Sequence, residues 1–246
     1  MWDRPTLLNA FADALYAAAA LVVLIVAVAR AVQLPAFGLR EVRIGGELRH
    51  VTPKQVTAVV KREVRGSFFT LDLAQARGAF EQLPWVRHVA LRRQWPARLD
   101  VAIEEHVPLA RWADAGIVNT HGELFRAAYD GPLPVFVGPD DAVREIAIQY
   151  RYFRRSLGAV GETPVQVRVT ARRAWQVQLR SGTTLALGRE NVEARLARFI
   201  AVHGRTIGRL GRHVDYVDLR YPNGFAVRIP ELRDEKQAPA GGRRRG

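Results

Sequence analysis

The 246-residue chain contains no cysteine and very little lysine. The absence of cysteine excludes a disulfide scaffold, a thiolate metal site and a cysteine nucleophile. It leaves the compartment open, because an exported chain can also fold without disulfides. Only Lys54, Lys61 and Lys236 are lysines among 37 basic residues, so arginine supplies nearly all of the net charge of +13. Such a charge favours anionic partners, namely lipid headgroups, nucleic acid or an acidic protein surface.

Sequence motifs of catalysis and cofactor binding are also lacking. The six histidines share no metal-ligand spacing, and the sequence has no HExxH, phosphate-binding glycine loop or GxSxG elbow. Glu104 and Glu105 are neighbours in a predicted strand, so their side chains point to opposite faces and cannot act as a carboxylate pair. Basic residues are spread along the chain without a helix-turn-helix or RNP-like motif. We therefore expect a protein that is not an enzyme, uses no cofactor or metal, and binds no specific nucleic acid.

One long apolar run stands near the start of the chain. Residues 14–29 carry no charge, and extending the run through Arg30 to Leu34 gives the roughly 20 residues that a bilayer requires. We predict a transmembrane helix over residues 14–34 after a short tail, residues 1–13. A cleaved signal peptide and a buried core helix are the alternatives, but the segment before the run lacks the positive charge of a signal peptide. The flanking charges do not decide the orientation, because long domains translocate largely regardless of charge.

A β-α-α-β-β pattern follows within residues 35–107, which also include a linker. A strand at 41–44 ends at two glycines, and Thr52 and Asp72 provide N-caps for two amphipathic helices. Two alternating runs then flank Gln94-Trp95-Pro96 and predict a β-hairpin. We expect Trp85 and Trp95 to pack inside this small unit.

The rest of the sequence predicts a mostly antiparallel β domain with flanking helices, residues 108–230. Two short strands surround His121-Gly122, and a hairpin of strands 214–221 and 225–229 turns at Pro222-Asn223-Gly224. Between them the patterns predict two helices and three strands, at 142–157 and 190–202 and at 165–170, 175–180 and 184–187. Residues 231–246 have the composition of a flexible tail. The predicted fold class is α+β.

Eight short segments carry a family signal through their order and spacing. They are SFFTLD (67–72), LPWV (83–86), RRQWPARL (92–99), EEHVP (104–108), GELF (122–125), LGR (187–189), RLARF (195–199) and VDLRYPNGF (217–225). In this order they resemble the bacterial division proteins of the FtsQ/DivIB family. The resemblance implies that the β-α-α-β-β unit is a POTRA domain and that residues 108–230 form the β domain of the family.

The resemblance also implies a role without catalysis. Family members are single-pass inner-membrane proteins with a cytoplasmic N-terminus and a periplasmic bulk. They act in the divisome at the septum, where they link early and late division proteins. They bind FtsB and FtsL through the β domain, and the POTRA domain is implicated in recruitment by other divisome proteins.

The hairpin at 214–229 suggests how a partner would bind. If its second strand ends the sheet, unpaired N–H and C=O groups along that strand can bind a partner strand. The resemblance places the FtsB site at this hairpin and at an arginine that matches Arg172 or Arg173. Some members carry a Trp where this chain has Ile229, so that aromatic contact is either missing or moved, with Phe225 as the candidate to replace it. The predicted partner-binding residues are Arg172, Arg173, Arg220, Tyr221, Asn223, Gly224, Phe225, Val227 and Ile229.

Structural roles compete with binding for several of these residues. Tyr221 can simply cover the sheet edge, Gly224 can serve the turn, Arg220 can pair with an acid inside the domain, and Phe225 can belong to the core. Three other functions also compete: a POTRA-containing secretion or assembly factor, a membrane-tethered binder of nucleic acid or another anionic polymer, and a wall enzyme. The first usually couples its POTRA units to a β-barrel, and no long series of ten-residue alternating strands follows here.

Overall fold

A computed structural model describes residues 5–32, 34, 37–113, 115–209, 213–222 and 224–230. It contains two compact units, residues 1–106 and residues 107–246, each with its own hydrophobic core. The predicted tail at 231–246 and the predicted site residue Asn223 lie outside the described residues.

The first unit begins with helix α1, Pro5–Ala31, in which the large apolar side chains from Phe11 to Val28 are exposed. Asn9–Ala31 is long and apolar enough to cross a membrane, since 23 residues at 1.5 Å each give about 35 Å. The predicted span of 14–34 starts later and ends later than this segment. Pro35, four residues beyond Ala31, has no N–H to donate to the Ala31 carbonyl, which favours a helix end at this point.

A three-stranded sheet and two helices complete the first unit. The elements are β1 Glu41–Gly45, α2 Pro53–Glu63, α3 Leu73–Glu81, β2 Val86–Gln94 and β3 Arg98–Glu105. The strand order is β1-β3-β2, with β1 parallel to β3 and β2 antiparallel to it. The predicted caps are confirmed: Thr52 and Gln55 form a capping box, and Asp72 accepts the N–H groups of Ala74 and Gln75.

The core of the first unit includes Val56, Phe80 and Leu99, which are fully buried. Trp85 is partly buried against this core, as predicted. The prediction for Trp95 is wrong, because its side chain is 65% exposed. Trp95 lies in the loop between β2 and β3, beyond Gln94 and Arg98, the last paired residues of the hairpin.

The second unit contains a nine-stranded mixed sheet. Its strands are β4 Pro108–Trp112, β5 Gly116–Asn119, β6 Leu124–Phe125, β7 Val135–Val137, β8 Pro164–Val169, β9 Trp175–Leu179, β10 Thr184–Gly188, β11 Tyr216–Asp218 and β12 Ala226–Arg228. The order across the sheet is β12-β11-β10-β9-β8-β7-β4-β5-β6. Five of the eight pairings are antiparallel and three are parallel, so the predicted mostly antiparallel sheet is confirmed.

Helices α4, Val143–Gly158, and α5, Val192–His203, pack on one face of this sheet. Alternate strand residues point towards them and form the core, with Phe136, Phe153 and Phe199 among the largest buried side chains. The opposite face is polar and carries Gln166, Arg168, Gln176 and Gln178. A sheet covered on one side in this way explains the alternating sequence pattern of β8 and β9.

The sequence patterns missed two strands, β4 and β7. Both lie inside the sheet, where they pair in parallel with each other, and β7 also pairs in parallel with β8. Their burial on the sheet interior removes clean alternation: Leu109 and Ala110 are consecutive in β4 and both are buried.

Candidate partner-binding edge

Strand β12 is the last strand of the nine-stranded sheet and pairs only with β11 among the described strands. Helix α5 carries the chain from the end of β10 back to the start of β11, which makes these two strands parallel. The following turn then folds β12 back along β11. The strands of the hairpin are shorter than the predicted 214–221 and 225–229.

The hydrogen bonds of the hairpin show which backbone groups of β12 face β11 and which face away from it. Arg228 C=O accepts the N–H of Asp215 at 3.1 Å, so the peptide groups of Arg228 point inwards to β11. Neighbouring residues in a strand direct their N–H and C=O groups to opposite sides. The N–H and C=O of Val227 therefore point outwards, along the open edge of the sheet.

The side chains of β12 divide between the two faces. Val227 lies opposite Val217, on the face that carries the helices, and is 36% exposed. On the same face Phe225 and Ile229 are partly buried against the core, and the Phe225 ring meets Phe199 edge-on at 6.4 Å. Phe225 and Ile229 thus anchor β12 to the core, whereas Val227 remains accessible.

The other face of β12 is basic. The Arg228 guanidinium lies 5.4 Å from the ring centre of Tyr216, its cross-strand neighbour in β11. A cation over an aromatic face is attracted by the electron density of the ring. This contact orients the arginine beside the open edge, where it can meet an acidic partner group.

The turn before β12 is held by Arg198, a residue of α5 that sequence reasoning did not select. Its Nη2 donates to the carbonyl of Tyr221 at 2.9 Å, and its Nη1 donates to the carbonyl of Pro222. Arg198 is 23 and 24 residues away from these carbonyls in the sequence, so no local sequence pattern predicts the contact. The arginine ties the turn to the helix that underlies it.

Arg220 is paired within the unit, which was one of the alternatives for it. It contacts the buried carboxylate of Asp218, with Nη2 2.6 Å from Oδ2 and Nε 2.9 Å from Oδ1. Hydrogen bonds from Arg220 lower the pKa of Asp218, and the carboxylate in turn raises the pKa of Arg220. The Arg220 side chain is still 62% exposed, so it is oriented by Asp218 and remains available to a partner.

Two other predicted residues of the turn are open to solvent. Tyr221 is 55% exposed. A Cβ added to Gly224 would meet nothing within 4 Å, so the space around this glycine is open. Neither residue is needed to fill the core.

Arg172 and Arg173 lie in the loop between β8 and β9, at the same end of the sheet as the turn before β12. Strands β10 and β11 stand between β9 and β12, which at 4.8 Å per strand separates them by about 14 Å. Arg173 makes ion pairs with Asp141 at 2.6 Å and Glu145 at 2.8 Å, and Arg172 is exposed. The fold therefore places these arginines on the same rim as Arg220 without bringing them into contact with the edge strand.

This arrangement is suited to binding a peptide strand. A backbone edge that no other described strand pairs with, an accessible Val227 and oriented arginines can add an extended segment by main-chain hydrogen bonds, with side chains setting the register. In the part of the chain that the structure describes, no three His, Asp or Glu side chains are grouped so that they could hold a metal ion.

Comparison with known families covers both units. Residues 37–106 match the family described as POTRA domain, FtsQ-type. Residues 110–220 match the family described as Cell division protein FtsQ/DivIB, C-terminal. The second match ends just before the turn and β12.

Individual relatives extend over nearly the whole chain. "Cell division protein FtsQ" of Nitrosospira multiformis is 47% identical over 233 residues, covering 93% of this chain and 99% of the relative. The protein of the same description from Burkholderia pseudomallei is 41% identical and covers 95% and 96%, and that from Neisseria gonorrhoeae is 33% identical and covers 81% and 84%. The chain belongs to the FtsQ/DivIB family of bacterial cell division proteins.

Proposed function

We propose that this chain is a divisome scaffold without enzymatic activity, which binds FtsB and FtsL by strand addition along β12. The observation that carries the proposal is the position of β12 at the end of the sheet, with the N–H and C=O of Val227 pointing outwards. Family membership supports the role in division. Through this contact and through its POTRA domain the chain would link early and late division proteins.

The residues around β12 support a partner with acidic groups. Arg220 is oriented by Asp218 and Arg228 by Tyr216, so both guanidinium groups are oriented before a partner arrives. A side chain that is already oriented loses less conformational freedom on binding. Tyr221 is exposed beside them and offers the large amphipathic surface that binding hot spots favour. In this chain Tyr221 would replace the aromatic contact absent at Ile229, because Phe225 is already packed on Phe199.

Proline substitutions in β12 test strand addition directly. Val227→Pro removes an outward N–H, so we expect loss of binding to the periplasmic segments of FtsB and FtsL with the hairpin intact. Val227→Thr keeps both the N–H and the branched shape, so it should bind as the wild type does. The measurement is the affinity of the full chain, reconstituted in lipid nanodiscs, for each purified segment.

A second proline distinguishes an edge effect from damage to the fold. Ala226 lies opposite Asp218 and directs its N–H towards β11, so Ala226→Pro should destabilise the hairpin itself. Normal binding by a folded Val227→Pro variant would show that partners use another surface. If the wild type binds neither segment, FtsB and FtsL are not the partners of this chain.

The proposal includes a topology: N-terminus in the cytoplasm, both folded units in the periplasm, at the division septum. α1 supports the single membrane crossing through its length and composition. Protease added to spheroplasts should digest residues 37–246 and leave the N-terminal segment intact, because only the outer side is accessible. Protection of the folded units instead would reverse the topology, and a fluorescent fusion spread evenly around the cell would contradict septal localisation.

A further inference from the structure

Four aromatic side chains of the first unit form a cluster that is partly outside its core. They are Phe37, Phe68, Phe69 and Trp95, with ring centres 5.3–6.4 Å apart in successive contacts. Phe69 is 48% exposed and Trp95 is 65% exposed. Two large rings that stay this exposed beside one another form an apolar patch that the packing of the unit does not explain.

Three backbone contacts assemble this aromatic cluster at one end of the unit. Phe68 N–H donates to Phe37 C=O at 2.7 Å, and Arg40 N–H donates to Ala97 C=O at 2.9 Å. Gly38 and Ser67 form an isolated antiparallel β-bridge. These contacts join the segment after α1, the loop before α3 and the loop of the β2–β3 hairpin. The cluster therefore lies at the end of the unit where the chain enters from the membrane.

The path from α1 to the cluster is short. Leu34 N–H donates to Ala31 C=O at 3.1 Å, and Phe37 N–H donates to Leu34 C=O at 3.0 Å. With about 3.5 Å between the N and O atoms of Leu34, these two hydrogen bonds keep the Phe37 nitrogen within about 10 Å of the Ala31 carbonyl oxygen at the helix end. A span of 23 residues already crosses the hydrocarbon layer, so this distance reaches the headgroup layer.

The residues of the cluster match the chemistry of a membrane interface. Tryptophan concentrates at the headgroup level because its ring is apolar and its N–H can bond to water or lipid oxygen. The exposed arginines Arg40 and Arg65 flank the cluster in the chain and can pair with lipid phosphates. No peptide groove is needed to account for the exposed rings, because the membrane surface is already next to them.

We propose that Phe69 and Trp95 insert into the headgroup layer of the leaflet next to the first unit, so that this unit is docked on the bilayer. The contact would fix the height and tilt of the POTRA domain above the membrane, in addition to the tether provided by α1. This inference does not depend on β12 or on the identity of its partners.

The lack of native cysteine allows a direct test. Full chains carrying Phe69→Cys or Trp95→Cys are labelled with a nitroxide and reconstituted, one chain per disc, in nanodiscs of phosphatidylethanolamine and phosphatidylglycerol. His88→Cys is the matched control, because His88 is exposed in β2 about 23 Å along the strand from Trp95. Collisions with oxygen and with a water-soluble nickel chelate are measured by power saturation.

We expect labels at 69 and 95 to lose collisions with the nickel chelate and gain collisions with oxygen relative to position 88. Adding Trp95→Ser to the Phe69→Cys chain, or Phe69→Ser to the Trp95→Cys chain, should restore contact with the chelate if the cluster inserts as a unit. Labels at 69 and 95 that collide with the chelate as freely as the label at 88 would overturn the proposal. Protection from both reagents would also overturn it, since that result means burial in protein. An unchanged circular dichroism spectrum establishes that each variant is folded.

Discussion

The Glu105 carboxylate fixes the loop that precedes α2. It accepts the backbone N–H groups of Arg49, His50 and Val51 at 2.7–3.1 Å, and its side chain is only 7% exposed. The imidazole of His50 lies 3.2 Å away and stacks on Trp85. Burial raises the pKa of Glu105, but these hydrogen bonds together outweigh it and hold the pKa below its usual range.

Replacing Glu105 by Gln should destabilise the first unit by about 2 kcal/mol at pH 7, because bonds to a charged acceptor are lost and the new NH₂ faces N–H donors. A carboxylate with a depressed folded-state pKa stabilises above its unfolded pKa of about 4.3 and loses that contribution as pH falls through the folded value. The difference in the free energy of unfolding between the variant and the wild type should therefore shrink at pH 3. Thermal unfolding at pH 7 and at pH 3 measures this difference.

The control is Glu104→Gln, at an exposed neighbouring position. An equal effect of both substitutions would contradict the role of Glu105.

At the scale of elements, α5 and the β11–β12 turn act as one unit through Arg198. Arg198→Gln removes the paired bonds to the Tyr221 and Pro222 carbonyls. We expect faster amide exchange over residues 219–229 and weaker binding of FtsB, with the rest of the sheet unchanged. Arg189→Gln, which among the described residues removes an ion pair with the adjacent Glu190, should alter neither property. Equal exchange in both variants would show that the turn does not need Arg198.

Periodicity and capping residues predicted most elements, because these signals are local. The capping box at Thr52 and the alternation of 175–180 are examples, and both correspond to observed elements. Interior strands such as β7 lack alternation, and three-residue strands are too short to show it. The predicted edge strand was found, but the contacts that hold it could not be predicted. Arg198 binds the carbonyls of Tyr221 and Pro222, which follow it by 23 and 24 residues, and such a contact leaves no pattern in the sequence. The same holds in the first unit for Glu105, which binds N–H groups 54 to 56 residues away.

At the scale of the whole molecule, membrane attachment has two possible sources, the apolar helix α1 and the net charge of +13. High salt distinguishes hydrophobic from electrostatic attachment. Near 1 M salt the Debye length is about 3 Å, which removes most attraction between exposed charges. We expect the full chain to stay in the membrane fraction in 1 M NaCl and in alkaline carbonate, because the helix is held by hydrophobic burial.

Charges in the middle of α1 should abolish this behaviour. Val22→Asp combined with Ile25→Asp places two carboxylates near the centre of the span, each costing about 3 kcal/mol. The chain should then leave the carbonate-resistant fraction, whereas the double change to Leu should remain there. Release of the wild type by salt alone would show that attachment is electrostatic.

The shortness of β12 has a consequence for selectivity. Three residues expose the N–H and C=O of Val227 at the open edge, and two backbone bonds contribute about 1–3 kcal/mol, far below the roughly 8 kcal/mol of micromolar affinity. An arbitrary extended peptide, or the edge of a second copy, therefore gains too little to stay bound. Only a strand whose side chains also fit Tyr221 and the neighbouring arginines would be retained. In the proposed mode of binding, the edge therefore accepts one sequence of partner strand and is a poor template for aggregation.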